Sequence, residues 1–203
     1  MFAYGLRCAF TQLALLVNVV LFLSSHVAAS RDVTYTAIGG GIVVWRRARP
    51  ITTIRWKTRV SSVHIEDSNV CALLAISELL VAAHSDGFIR VWHVAVDSDA
   101  ASCIATLQQE IALPNFVTPT VLVHPDTYLN KVAVGTSMGS VCIVNIRSGR
   151  VVHECKVAPS GVAVTALAQV SGWRCMLRIL APPRASTLSS PSHCRAQHWM
   201  CWE

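Results

Sequence analysis

Apolar positions in this chain fall into short runs rich in Val, Ile, Leu and Ala, separated by Gly-bearing turns rather than spaced three and four apart. Such runs bounded by turn residues predict β-strands. Three stretches share one plan of strand, turn and strand: "TYTAIGGGIVVWRR" ending at Arg47, "LLVAAHSDGFIRVWHV" ending at Val94, and "KVAVGTSMGSVCIVNI" ending at Ile146. Gly40, Gly87 and Gly139 each stand five residues before Trp45, Trp92 and Val144, and the units repeat at spacings of 47 and 52 residues. A period near roughly 40 to 45 residues is that of a four-stranded propeller blade.

The middle unit reads as Val70 to Ile76, Leu80 to Ser85, Phe88 to Val94 and Cys103 to Gln108. Asp86-Gly87 supplies the positive φ that a tight hairpin requires. The next unit reads as Pro119 to Pro125, Lys131 to Thr136, Ser140 to Ile146 and Val151 to Val157, and a further inner strand as Val162 to Gln169. In the first unit, Thr34 to Ile38, Gly41 to Arg47 and Thr52 to Trp56 leave the inner strand to be found upstream, where Val17 to Leu23 is apolar. The pattern therefore predicts an all-β chain of about three four-stranded antiparallel blades, a partial propeller and not a closed ring.

The ends differ from the middle. Residues 1–30 admit two readings. Arg7, the apolar Leu13 to Leu23 and Val27-Ala28-Ala29 before Ser30 follow the three regions of a secretory signal peptide; the blade plan asks instead for a strand there. Asn18 interrupts an apolar block already short for a membrane span. Residues 31–170 carry the blades. Residues 171–203 lose the strand period, become Pro- and Ser-rich, and are expected to be an unstructured tail. His193, Cys194, His198 and Cys201 could in principle ligate zinc, but adjacent ligands without a second knuckle do not suit a closed tetrahedral site.

Composition changes this picture little. The chain has 203 residues, 53% hydrophobic and 14% charged, which excludes a largely disordered protein. A net charge of +6 favours acidic partners only weakly. The eight cysteines contain no Cys-x-x-Cys pair, and Cys71, Cys103, Cys142 and Cys155 sit inside apolar runs, as free thiols in a reducing compartment do.

The run "HPDTYLNKVAVGTSMGSVCIVNIRSG", His124 to Gly149, resembles the family of U3 small-nucleolar-RNA-associated protein 21, WD-repeat proteins of the small-subunit processome. "AIGGGIVVWRR", "LLVAAHSDGFIRVWHV" and "VAVTALAQ" continue the likeness, which covers about Val27 to Gln169. The resemblance implies a fragment of the first of two WD40-type propellers and a non-enzymatic scaffold in 18S ribosomal RNA maturation, located in the nucleolus. Its implied partners are other processome proteins and, indirectly, the U3 ribonucleoprotein and pre-rRNA. No cofactor or small-molecule substrate is implied. The alternative is a secreted or membrane-delivered binding protein whose N-terminal segment is cleaved.

A complete WD blade uses a hydrogen-bonded His, Ser/Thr, Asp and Trp set. Asp86, Gly87 and Trp92 are in place, with Trp45 and Gly139 marking the neighbouring blades, whereas Ala82 replaces Ser, His93 replaces the signature Asp and Val144 replaces Trp. Gly135-Thr136-Ser137-Met138-Gly139 matches a nucleophile elbow, but the β-branched run after it denies the required helix. Gly39-Gly40-Gly41 likewise lacks the helix of a phosphate loop. The candidate contact for RNA or an acidic protein is Arg46, Arg47, Arg49, Arg55, Lys57 and Arg59, six bases with no intervening acid beside Trp45 and Trp56. A solvated blade edge explains the same residues.

Overall fold

The structure is a computed structural model that describes residues 26–30, 33–55, 68–96, 103–125, 128–170, 176–180 and 197–200. Among the described residues four antiparallel sheets follow one another in sequence. The first contains β1 (His26–Ser30), β2 (Val33–Ile38), β3 (Gly41–Arg46) and β4 (Arg49–Ile54). The second contains β5 (Val70–Ile76), β6 (Leu79–His84), β7 (Phe88–Val96) and β8 (Cys103–Ala112). β9 (Pro119–Val123), β10 (Lys131–Thr136), β11 (Ser140–Asn145) and β12 (Arg150–Lys156) form the third. β13 (Ala166–Val170), β14 (Met176–Leu180) and β15 (Gln197–Met200) form a three-stranded fourth.

Within each sheet the strands pair in chain order, and β1, β5, β9 and β13 lie beside one another in succession. These are the inner strands of consecutive propeller blades, and the arc they trace is not closed. Hydrogen bonds stitch the blades: Val70 N–H donates to Gly39 O at 3.1 Å, the Thr118 hydroxyl to Ser85 O at 3.4 Å and Val164 N–H to Thr136 O at 3.0 Å.

The core lies between sheets. Tyr35, Ile42 and Val44 of the first sheet pack on Leu80, Trp92 and Val94 of the second. Ile89, Val91 and Ile111 on the second sheet's other face meet Val132, Val134 and Val144 of the third. A sheet covered on both faces needs apolar residues at successive positions. That is why β6 and β11 read as continuous runs, and why β7 sends Ile89 and Val91 one way and Trp92 and Val94 the other, as its alternation predicts.

Four elements depart from expectation. The inner strand of the first blade is His26–Ser30, so Val27 to Ala29, which resemble a cleavage site, are strand; Val17 to Leu23 lie outside the described residues. β1 and β2 are two residues apart in sequence, which favours their antiparallel pairing over that of a distant strand. The outer strand begins at Arg49, because Arg47 and Ala48, at φ 48° and 62°, close a two-residue turn in which Arg46 pairs with Arg49. Finally, β14 and β15 fall within the segment expected to be a tail. Met176 to Leu180 is apolar apart from Arg178, enough for a strand to add to the edge of β13. The inner strand expected from Val162 starts at Ala166, since residues 162–165 bridge to the third sheet through Val164, whose carbonyl accepts the Thr120 hydroxyl.

Candidate interaction surface

The hairpin turns β2–β3, β6–β7 and β10–β11 lie at one end of the blades. Gly39, Gly87 and Gly139 have φ of 57°, 81° and 80°, so the left-handed residue in the first turn is Gly39 rather than the aligned Gly40. A side chain at Gly87 would collide with the backbone of Phe116.

Asp86 organises the middle turn. Its Oδ1 accepts the Phe88 N–H at 3.1 Å, and its carboxylate takes two guanidinium bonds from Arg90, at 2.8 and 3.3 Å. Arg90 donates Nε–H to Glu110 at 2.9 Å across the β7–β8 pair. This guanidinium is fully buried, whereas Asp86 and Glu110 keep 22% and 44% of their side-chain surface exposed. Burial works against ionising Asp86, but the Arg90 hydrogen bonds and charge outweigh it and hold the carboxyl below its ordinary value. His84 is fully buried, and burial followed by the Arg90 charge lowers its pKa to about 3. It is neutral at physiological pH.

The blade signature is distributed unevenly. Trp45 donates its indole N–H to Thr36 Oγ1 at 2.7 Å, a Thr–Trp pair within the first blade. Thr36 faces Val43 in register, Ala82 faces Arg90 and Val134 faces Cys142, so the hydroxyl position becomes Ala and then Val. Trp92 and Val144 are buried. Apolar packing therefore takes over from polar pairing along the arc. Arg90, Glu110 and His84 are the polar residues that sequence reading missed; the available signal was an Arg between Ile89 and Val91 in a strand buried on both faces.

The structure divides the basic cluster. Arg46, Arg47 and Arg49 gather at the β3–β4 turn, with Arg47 and Arg49 exposed. Arg55 is also exposed but follows the far end of β4, beside Gly41. Six residues of strand separate it from Arg49 by about 20 Å. Lys57 and Arg59, like Trp56, lie outside the described residues.

Other chemistry gains no geometry. Ser137 sits in a turn that leads into strand β11, so the helix of a nucleophile elbow is replaced by strand. Gly39 to Gly41 is likewise a strand–strand turn. Cys71, Cys103, Cys142 and Cys155 are free. Burial raises the first three thiols, Cys142 to about 11 with help from Glu154, which disfavours the reactive thiolate. Among the described residues no group of His, Cys, Asp and Glu is arranged to hold a metal. His193, Cys194 and Cys201 lie outside those residues. Among them, too, no helix is long and apolar enough to cross a membrane.

No protein-family model matches the chain. It is 32% identical over 125 residues, 61% of its length, to the U3 small nucleolar RNA-associated protein 21 homolog of Schizosaccharomyces pombe, of which it spans 12%. Among solved structures, Sqt1 from Chaetomium thermophilum superposes with a TM-score of 0.59 at 18% identity, over 77% of this chain and 40% of that one. The Cps50 (Swd1) beta-propeller domain of Myceliophteria thermophila superposes with 0.52 at 14% identity, over 83% and 55%. The computationally designed Ika4 protein gives 0.57 at 18% identity, over 78% and 84%. The fold is that of WD40-type β-propeller blades, and over 125 residues the sequence is similar to a U3 small nucleolar RNA-associated protein 21 homolog.

Proposed function

We propose that this chain serves as a non-enzymatic WD-repeat scaffold segment of the small-subunit processome, assisting 18S rRNA maturation in the nucleolus. The observation that carries this reading is the 32% identity over 125 residues to a U3 small nucleolar RNA-associated protein. The physical character of the fold supports it. Sheets packed on both faces are rigid, and their turns and outer strands remain free to contact other macromolecules. In this role the chain holds other processome proteins and, through them, the U3 ribonucleoprotein and pre-rRNA. Arg46, Arg47 and Arg49 form one cationic contact at the β3–β4 turn and Arg55 a second, for phosphate or acidic side chains.

The test is gradient sedimentation of the tagged chain from cells that express it, with hybridisation for U3 RNA across the fractions. Co-migration with the large U3-containing particles is expected. Migration only as free protein, with no U3 RNA recovered on the tag, would overturn the proposal.

A further inference from the structure

The connection from β8 to β9 holds an aromatic ring in water by a backbone that an aromatic residue rarely adopts. Asn115 and Phe116 have φ of 53° and 50°. Asn tolerates the left-handed region; Phe does so only at a cost in free energy. The Phe116 ring does not recover that cost by burial, since the residue is 62% exposed.

The loop is nevertheless fastened at every step. Leu113 is buried and its N–H donates to Gly87 O at 2.9 Å, and the Phe116 N–H donates to Leu113 O at 3.0 Å. Ser137 N–H donates to Thr118 O at 2.9 Å. The Phe116 ring stands 5.5 Å from that of Phe88. Strain held by surrounding structure at an exposed position is a mark of function, and a rigid aromatic loses little freedom when it binds.

The charge beside this ring selects the partner. The Arg90 guanidinium lies 5.2 Å from the Phe88 ring centroid and is shared by two partly exposed carboxylates, Asp86 and Glu110. Two negative charges against one positive, beside a neutral His84, leave the surface negative. Phosphates would be repelled there.

We infer that Phe116, with the Asp86–Glu110 carboxylate edge, is a docking site for a protein segment that carries an apolar side chain next to a Lys or Arg. The inference stands independently of the processome reading.

Fluorescence anisotropy on the full chain tests it with three synthetic peptides, one of alternating Leu and Arg, one of Leu and Glu, and one of Gly and Arg. The Leu/Arg peptide should bind about tenfold more tightly than the other two. Phe116→Gly should abolish most of that preference while leaving the melting temperature equal or higher, because glycine accepts φ of 50° without strain. Glu110→Gln should weaken binding of the Leu/Arg peptide and not that of the Leu/Glu peptide. Equal binding of all three peptides would overturn the inference, as would undiminished Leu/Arg binding by Phe116→Gly. A lowered melting temperature in Phe116→Gly would show instead that the ring is structural.

Discussion

Trp45 and Thr36 are joined by a 2.7 Å hydrogen bond from the indole nitrogen to a fully buried hydroxyl. The pair lies on the face of the first sheet opposite Tyr35, Ala37, Ile42 and Val44, which pack on the second. It therefore braces the face of the sheet on which no inter-sheet core lies among the described residues. Thr36→Val keeps the shape and removes the acceptor. A net loss of about 1 kcal/mol is expected, seen as a fall in melting temperature of roughly 3 °C.

Gly87 and Gly39 both have positive φ but differ in their surroundings. At Gly39 a Cβ would meet only Asn69 Oδ1, at 3.9 Å. Gly39→Ala should therefore cost about 1 kcal/mol for conformation alone. Gly87→Ala must also displace the Phe116 backbone and should cost at least about 2 kcal/mol more. Urea midpoints at constant m-value measure the difference; equal midpoints would remove the close approach as the reason for glycine at 87.

His84 makes stability depend on pH. Its folded pKa of about 3 lies below the ordinary 6.5, so the unfolded chain binds the extra proton between those values and stability rises with pH across that window. Falling from pH 7 to pH 5 should remove about 2 kcal/mol. Asp86, whose carboxyl is held low, contributes stability above its unfolded pKa and loses it only in stronger acid. Denaturation of His84→Gln at the two pH values should show the upper part of this slope flattened.

The division of the arginines gives a separate expectation. Charge reversal of Arg46, Arg47 and Arg49 together should weaken association with pre-ribosomal particles and reduce its salt dependence by about one logarithmic unit per lost phosphate contact. Arg55→Glu should act independently and additively, because about 20 Å separates the two contacts. Coupling between the two variants in sedimentation assays would indicate one continuous site.

Val27 and Ile38 are 49% and 50% exposed on the outward face of the first sheet, which no further sheet covers among the described residues. An apolar sheet face in an unclosed arc favours self-association. Val27→Lys with Ile38→Lys should raise the monomer fraction in analytical ultracentrifugation without lowering the melting temperature. An unchanged mass distribution would exonerate that face.

The sequence by itself determined most strands between Val33 and Lys156, their grouping and the hairpins, but not β1, β14 or β15. Strand pairing over a short turn is local, so Ser85-Asp86-Gly87 and the apolar runs around it were sufficient to place β6 and β7. The Asp86 turn and Trp45 were legible for the same reason. The tertiary structure decided what depends on register between distant residues. Arg90 meets Glu110, 20 residues away, only through the β7–β8 pairing and its shift at Val91/Trp92, and no local pattern encodes that meeting. A basic run in the sequence falls at two separate places because a strand extends about 3.3 Å per residue. The close approach of the Phe116 backbone to Gly87 is likewise a product of the β7–β8 pairing, and no local pattern announces it.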